Sequence, residues 1–99
     1  MKNEYVYILK CSDGTLYTGY TNNLKRRLIA HNNGNGAKYT CGRLPVKYVF
    51  TQKCSDKSDA LKKEIFIKGL SKTNKVKLIN GKIDLDKSFQ AYTRKKDSK

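Results

Sequence analysis

The stretch EYVYILKCSDGTLYTGY, residues 4–20, decides the fold. Its first part, residues 4–10, is mostly β-branched, aromatic or aliphatic without polar alternation, which is typical of a strand covered on both faces. Residues 12–15 carry turn chemistry, and the strand pattern resumes at residues 16–20. The stretch therefore predicts a β-hairpin whose first strand lies in the centre of a sheet.

The length of the hairpin loop decides where two tyrosines point. A three-residue loop places Tyr7 and Tyr17 on one face of the sheet, whereas a two-residue loop places them on opposite faces. We expect the longer loop. Gly19, inside the second strand, is compatible with a close approach of another group and equally with a simple bulge.

The rest of the chain supplies helices and one more strand. The order of these elements predicts an α+β fold, a small, mainly antiparallel three-stranded sheet flanked by helices. The predicted elements are a helix at about 23–31, a flexible basic loop at 32–42, a strand at 46–52, a helix over about 60–69 and a shorter helix at 71–80.

Length and charge limit the kind of protein. The chain has 99 residues, of which 37% are hydrophobic, and this builds one small core. Lys and Arg number 22 against 8 Asp and Glu, and the formal charge of +14 exceeds what solubility requires, which predicts a polyanionic partner. We expect one domain at residues 1–82 and a basic, partly disordered extension at residues 83–99.

Membrane and disulfide classes are not favoured. No apolar run approaches the roughly 20 residues that span a bilayer, and no cleavable signal pattern is present, so we expect a cytoplasmic protein without a membrane partner. Cys11, Cys41 and Cys54 lie far apart and are expected to be free thiols. A zinc site built from them and His31 is the less favoured alternative, because the ligand spacing of such sites is missing.

Two tyrosine motifs, Tyr5-Val6-Tyr7 and Tyr17-Thr18-Gly19, give a sharper indication together with Arg27, His31 and Glu64. Over about residues 4–80 the chain resembles the GIY-YIG nuclease superfamily, and within it the small, single-domain, largely uncharacterised bacterial members. The departures, Tyr5 for Gly, Val6 for Ile and Thr18 for Ile, remove no chemical group. The residues that carry the resemblance are Tyr5-Val6-Tyr7, Tyr17-Thr18-Gly19, Arg27 with His31, and Glu64.

The resemblance implies a catalytic site. One of the two tyrosines acts as the base and the other orients water, with Tyr7 slightly favoured as the base. Larger members of the superfamily carry a late asparagine, and here Asn74 and Asn80 are both open candidates. The implied catalytic residues are Tyr7, Tyr17, Arg27, His31 and Glu64, of which Glu64 is the metal ligand.

Elementary chemistry is consistent with these roles. Glu64 alone suffices to hold one Mg²⁺ or Mn²⁺, since Mg²⁺ keeps several waters and accepts phosphate oxygens. Arg27 offers a fork of donors for a phosphate, and His31, four residues on, shares its helix face and can assist proton transfer near neutral pH. Taken singly, each has an ordinary interpretation, such as an exposed ion pair between Glu64 and Lys68. Only their joint spacing favours catalysis.

These features predict a divalent-metal-dependent DNA endonuclease with little sequence specificity, acting in DNA repair or processing. No recognition helix is visible, so structured or single-stranded DNA is favoured as the substrate over a defined sequence, and RNA stays possible. The alternative is a nucleic-acid-binding module with the same fold and little or no activity. The basic residues expected to bind the phosphate backbone are Arg26, Lys38, Arg43, Lys63 and Lys68.

Overall fold

A three-stranded antiparallel sheet forms the centre of the protein. The structure is a computed structural model that describes residues 3–97, and the side-chain environments of residues 3–93. The strands are β1 (Glu4–Lys10), β2 (Leu16–Thr21) and β3 (Lys47–Cys54), in the order β2-β1-β3. The central position predicted for the first strand is confirmed, and so is the α+β class with three antiparallel strands.

Five helices lie within the described residues. Side chains begin three of them: Asn23, Asp56 and Ser71 each accept a hydrogen bond from a backbone N–H three residues on. The second long helix begins earlier than the sequence predicts, because Asp56 caps it. The helices are α1 (Leu24–Asn32), α2 (Lys38–Cys41), α3 (Lys57–Lys68), α4 (Lys72–Ile79) and α5 (Leu85–Asp97).

The register between β1 and β2 places two tyrosines on one face. Tyr7 pairs with Gly19, and Leu9 pairs with Tyr17. Paired residues share a face, as do residues two apart on one strand, so Tyr7 and Tyr17 point the same way, as predicted. The loop spans residues 11–15 instead of three residues. Loops of three and of five residues both have an odd length, and both therefore place Tyr7 and Tyr17 on the same face of the sheet.

Helices cover both faces of the sheet. Residues 6–9 of β1 are fully buried, and alternate side chains enter two hydrophobic clusters. Val6 and Ile8 pack with residues of α3, α4 and α5, while Tyr7 and Leu9 pack with residues of α1. Burial on both sides explains why the strand lacks polar alternation.

The segment predicted as a flexible basic loop contains the one-turn helix α2. Its buried residue Thr40 donates a hydrogen bond to the carbonyl oxygen of Ala37 and contacts His31. The loop prediction is wrong for residues 38–41, because these tertiary bonds hold a turn that glycine and asparagine content alone does not reveal.

The boundary predicted at residue 82 does not end the folded core. Leu85 has 2% of its surface exposed and packs in the cluster with Val6 and Ile67, and Ile83 packs against the same cluster. Helix α5 begins at Leu85, in the segment predicted as a partly disordered extension. The apolar positions are few enough to look like a tail in sequence, yet they close one end of the core. Residues 98 and 99 lie outside the described residues.

Candidate active site

Tyr7, His31 and Thr40 form a chain of hydrogen bonds inside the protein. The hydroxyl of Tyr7 lies 3.0 Å from His31 Nε2, and His31 Nδ1 lies 2.9 Å from Thr40 Oγ1. None of the three residues has exposed surface. Strand β1 and helices α1 and α2 each supply one member, so the chain depends on the tertiary fold.

The hydroxyl of Thr40 fixes the direction of these bonds. It donates to the carbonyl oxygen of Ala37 at 3.1 Å, and therefore accepts the hydrogen bond from His31 Nδ1–H. A neutral imidazole carries a single N–H, so Nε2 is an acceptor and the Tyr7 hydroxyl donates to it. We assign His31 as the Nδ1–H tautomer on this ground.

Burial keeps both ends of the Tyr7–His31 bond neutral. It lowers the pKa of His31 below its ordinary value, and the nearby Arg27 charge lowers that pKa further. Burial also raises the pKa of Tyr7, more than the hydrogen bond and charge of Arg27 lower it. At neutral pH the pair is therefore a phenol and an unprotonated imidazole.

Arg27 connects this buried chain to an open cleft. Its Nε donates to the Tyr7 hydroxyl at 3.4 Å, and its Nη2 donates to the carbonyl oxygen of Gly36 at 3.3 Å. It also lines a cleft of about 490 Å³ between the end of β2 and α1, together with Arg26. A guanidinium held on one side and open on the other suits a phosphate group.

Two glycines make room for the buried pair. A Cβ at Gly19 would lie 2.5 Å from the Tyr7 hydroxyl, and a Cβ at Gly36 would overlap the ring of His31. The close approach that the sequence allowed at Gly19 is therefore what the structure shows. Any larger residue at either position displaces one partner of the hydrogen bond.

Of the two tyrosines implied in catalysis, Tyr17 is the one that is not fully buried. It is only partly buried, and its ring packs edge-on against His31 with centroids 5.5 Å apart. Its other neighbour is Tyr39, which stacks on it at 5.9 Å and carries the Arg43 guanidinium 4.5 Å from its ring centroid. The resemblance slightly favours Tyr7 as the base, but Tyr7 is completely buried in the structure.

Glu64 lies on α3, the helix that packs against β1 and β2. Its side chain is 14% exposed and forms an ion pair with Lys68 at 3.4 Å, as the ordinary interpretation of the sequence has it. The carboxylate is also close enough to Tyr7 that its charge contributes to raising the pKa of that tyrosine. Glu64 thus faces the site while keeping a basic neighbour.

The described residues offer no preformed cluster of ligands for a metal ion. Within the described residues, no three or more His, Cys, Asp or Glu side chains lie close enough together to bind a metal. The alternative zinc site is therefore not formed, and the three cysteines are free, with Cys11 and Cys54 buried and Cys41 exposed. A single carboxylate such as Glu64 fits Mg²⁺ or Mn²⁺, whose other ligands are water and substrate oxygens.

Three of the five residues expected to bind a phosphate backbone are already paired inside the protein. Lys63 is only 7% exposed and bonds to Asp59 and Asp86 at 3.1 and 2.9 Å. The structure therefore contradicts its role as a backbone contact, because a phosphate would have to displace two carboxylates. Arg43 pairs with Asp13 at 2.6 Å, and Lys68 pairs with Glu64.

The remaining two expected contacts, Arg26 and Lys38, are exposed, and Arg26 lines the cleft beside Arg27. Of the two candidate asparagines, Asn74 lies in the first turn of α4. Asn80 ends that helix and lines a groove on its surface. The structure favours neither as a member of the site.

Sequence reasoning missed two residues that shape the site. Thr40 lies in the glycine-rich segment, where nothing marks one threonine as buried. Tyr48, on β3, packs edge-on against Tyr7 at 5.2 Å and donates to the carbonyl oxygen of Leu24 at 2.7 Å. Its burial raises its pKa to about 12, so it remains a neutral packing partner.

The paired tyrosines, helix α1 with Arg27 and His31, and Glu64 on α3 make up the pattern of a class of catalytic domain. Residues 3–77 match the family model described as the GIY-YIG catalytic domain. The chain belongs to this family. No helix within residues 3–97 combines the length and apolar character needed to cross a lipid bilayer.

Bacterial relatives share most of the chain. A UPF0213 protein of Clostridium perfringens is 50% identical over 87 residues, 88% of this chain and 94% of the relative. A UPF0213 protein of Staphylococcus saprophyticus is 51% identical over 80 residues, 81% of this chain and 98% of the relative. The predicted similarity to small, single-domain bacterial members is confirmed.

Two solved structures are similar in both sequence and fold. The solution NMR structure of a UPF0213 protein from Bacillus halodurans has a TM-score of 0.52 and 46% identity, covering 79% of this chain and 83% of that one. The solution NMR structure of a protein from E. faecalis has a TM-score of 0.57 and 41% identity, covering 82% and 86%.

Proposed function

We propose that this protein is a divalent-metal-dependent DNA endonuclease that hydrolyses phosphodiesters with little sequence specificity. The observation that carries the proposal is the position of Arg27. Its guanidinium is bonded to the buried Tyr7–His31 pair on one side and opens into a cleft on the other. Membership of a catalytic-domain family supports the same reading.

The residues of the site divide the work of phosphodiester hydrolysis. Glu64 would hold Mg²⁺ or Mn²⁺, which when bound polarises the phosphate and stabilises the leaving oxygen. Arg27 binds the phosphate and balances the charge that grows on it in the transition state. Because a single carboxylate, Glu64, is assigned to the metal, one metal ion is expected.

The two tyrosines take different roles in this proposal. Tyr17, partly exposed beside Arg27 and His31, is placed to orient the attacking water, and in its phenolate form it would take one proton from that water and become a phenol. Tyr7 and His31 stay buried, and Tyr7 keeps its proton toward His31 Nε2 while presenting a lone pair to Arg27. The buried pair therefore positions the guanidinium and does not contact the water.

The setting proposed for this activity is DNA repair or processing. Basic side chains without a recognition helix favour backbone contacts over base contacts, so flaps, junctions or single strands are better candidates than a defined site. RNA is a less favoured substrate of the same chemistry.

A second candidate function is a nucleic-acid-binding module with little activity. The observation that favours it is the ion pair between Glu64 and Lys68, which occupies the carboxylate assigned to the metal. In that case the cleft beside Arg27 binds a phosphate without cleaving its ester.

Cleavage of labelled DNA separates the two functions. Duplex, single-stranded, flap and four-way-junction DNAs are incubated with Mg²⁺, Mn²⁺ or a chelator and the wild-type protein, Glu64→Gln or Tyr17→Phe. The matched control is Tyr5→Phe. It also removes a phenolic hydroxyl, but from a partly buried tyrosine that has no assigned role in the site. We expect metal-dependent cutting by wild type and control, and a loss of about 10²-fold or more in the two site variants.

Two outcomes of this experiment would contradict the proposed nuclease activity. Cutting that persists in chelator, or in Glu64→Gln at the wild-type rate, contradicts the metal-dependent mechanism. Binding without cutting under any metal supports the binding module instead.

A further inference from the structure

Edge strand β2 has basic recesses at both of its ends. Near Thr21, the 490 Å³ cleft is lined by Arg26, Arg27 and Lys57. Near Leu16, a recess of about 190 Å³ is lined by Tyr39, Lys72 and Lys75. Since Tyr39 stacks on Tyr17, the second recess begins directly beside the candidate active site.

The basic surface continues along helix α4. Lys72 borders both the recess at Tyr39 and a groove of about 420 Å³, which Lys77 and Lys82 also line. The sequence of α4, KTNKVKLI, contains no acidic residue. A path of lysines therefore leads from Tyr17 over the length of α4 without an acidic interruption on that helix.

Four of the acids neutralise other cations, and a fifth, Glu4, lines the 490 Å³ cleft at the other end of β2. Among the described residues, the ion pairs join Asp13 to Arg43, Asp59 and Asp86 to Lys63, and Glu64 to Lys68. No such pair involves Lys72, Lys75, Lys77 or Lys82, and all but Lys75 are exposed. These four lysines, three on α4 and Lys82 shortly after it, are here called the α4 lysines. They are thus free to exchange counterions for a polyanion.

We propose that the phosphate backbone of a nucleic-acid strand passes the candidate active site at β2 and continues along the α4 lysines. The inference rests on the proposed function, because it identifies the surface that would hold the substrate of that same site. An eight-residue helix is about 12 Å long, enough to follow roughly three phosphates of a strand at about 3.4 Å each along the axis. This surface takes the place of Lys63 and Lys68, which are predicted from the sequence to contact the phosphate backbone but form ion pairs in the structure.

Lysine point charges on a convex helix suit a backbone better than a base edge. Lysine ammonium groups carry no fixed donor fork, whereas sequence readout needs bidentate contacts in a groove. The α4 lysines therefore strengthen binding of any sequence. Both duplex DNA and a single strand offer this chemistry.

The test compares two triple variants of equal charge. Lys72→Gln/Lys75→Gln/Lys77→Gln alters α4, and Lys10→Gln/Lys47→Gln/Lys53→Gln alters exposed lysines of β1 and the far edge strand β3. Affinity for a labelled 30-nucleotide strand and the matching duplex is measured in chelator by fluorescence anisotropy, at a series of salt concentrations. Thermal unfolding by circular dichroism verifies that both variants fold.

We expect the α4 variant to lower the slope of log affinity against log salt by about 2 to 3, since each lost phosphate contact removes roughly 0.7 to 0.9. The control variant, with Lys10, Lys47 and Lys53 changed to Gln, is expected to change the slope by less than about 0.5. The slope is compared for single strand and duplex. The form of DNA for which the α4 variant lowers the slope more is the one that follows α4. Equal effects of the two variants, or none, overturn the proposal.

The outcome is separable from that of the nuclease proposal, because binding in chelator needs no cleavage. If the wild-type protein cuts DNA and the two triple variants bind alike, the α4 path fails alone. If the α4 variant loses affinity but no protein cuts DNA, the nuclease fails and the surface belongs to the binding module. If the wild-type protein does not bind either DNA, both proposals fail.

Discussion

The Tyr7 hydroxyl donates a hydrogen bond to His31 Nε2 over 3.0 Å, and neither residue has any exposed surface. A buried polar pair of this kind holds together only when every donor and acceptor is satisfied. Here Thr40 completes the chain on one side and Arg27 on the other. The site is therefore as much a part of the core as it is a part of the cleft.

His31 makes the stability of the protein depend on pH. Burial lowers its folded-state pKa below the unfolded value of about 6.5, so the unfolded chain binds the extra proton more readily. The associated stability is present above about pH 6.5 and is lost as pH falls through the lowered folded pKa. We expect the free energy of unfolding in urea to fall between pH 7 and pH 5, by at most about 1.4 kcal/mol per pH unit.

This window isolates one group. His31 is the single histidine, and Asp13, whose pKa hydrogen bonds from Thr15 hold at about 2, titrates well below it. His31→Gln is the control and should flatten the dependence between pH 5 and 7. A wild-type stability that is constant across this range contradicts the buried neutral imidazole.

Thr40 should decide the tautomer of His31. Thr40→Val keeps the shape of the side chain but removes the acceptor for Nδ1–H, and a buried unpaired donor costs about 1–3 kcal/mol. We expect the imidazole proton to shift from Nδ1 to Nε2, so that Nε2–H donates to the Tyr7 hydroxyl oxygen. Long-range ¹⁵N–¹H NMR spectra of the imidazole measure this directly.

Thr40→Ser retains the hydroxyl and serves as the matched control, with an expected wild-type imidazole spectrum. A general loosening of the fold would affect both variants, whereas the tautomer change is confined to valine. Identical imidazole spectra for Thr40→Val and wild type would contradict the assignment.

The sheet and the motifs can be predicted from the sequence because they depend on local patterns. The apolar run at residues 4–10 and the parity of the hairpin loop predict the central strand and the common face of Tyr7 and Tyr17. The partners of these side chains depend on tertiary contacts. That Thr40 is buried, or that Lys63 lies between two carboxylates, follows from how α2, α3 and α5 pack, which no local spacing encodes.

Gly19 should be essential for the position of Tyr7. In Gly19→Ala, the new Cβ would lie 2.5 Å from the Tyr7 hydroxyl, so the ring must move and its bond to His31 must lengthen. We expect a loss of about 1–3 kcal/mol in the free energy of unfolding, measured in urea, as for other overpacked cores. Gly42→Ala is the control, because a Cβ there meets nothing within 4 Å and should cost little.

Leu85 should contribute to the stability of the whole protein, because it closes the cluster that contains Val6 and Ile67. Leu85→Ala removes a side chain that is 98% buried and leaves a cavity, for which we expect a loss of about 2–5 kcal/mol. The exposed Ile65, 64% exposed on α3, gives the control substitution Ile65→Ala, with an expected loss below about 1 kcal/mol. Both are measured by urea unfolding. Equal stabilities of the two variants would mean that α5 does not pack on the core and that the extension begins at residue 83, as the sequence alone suggests.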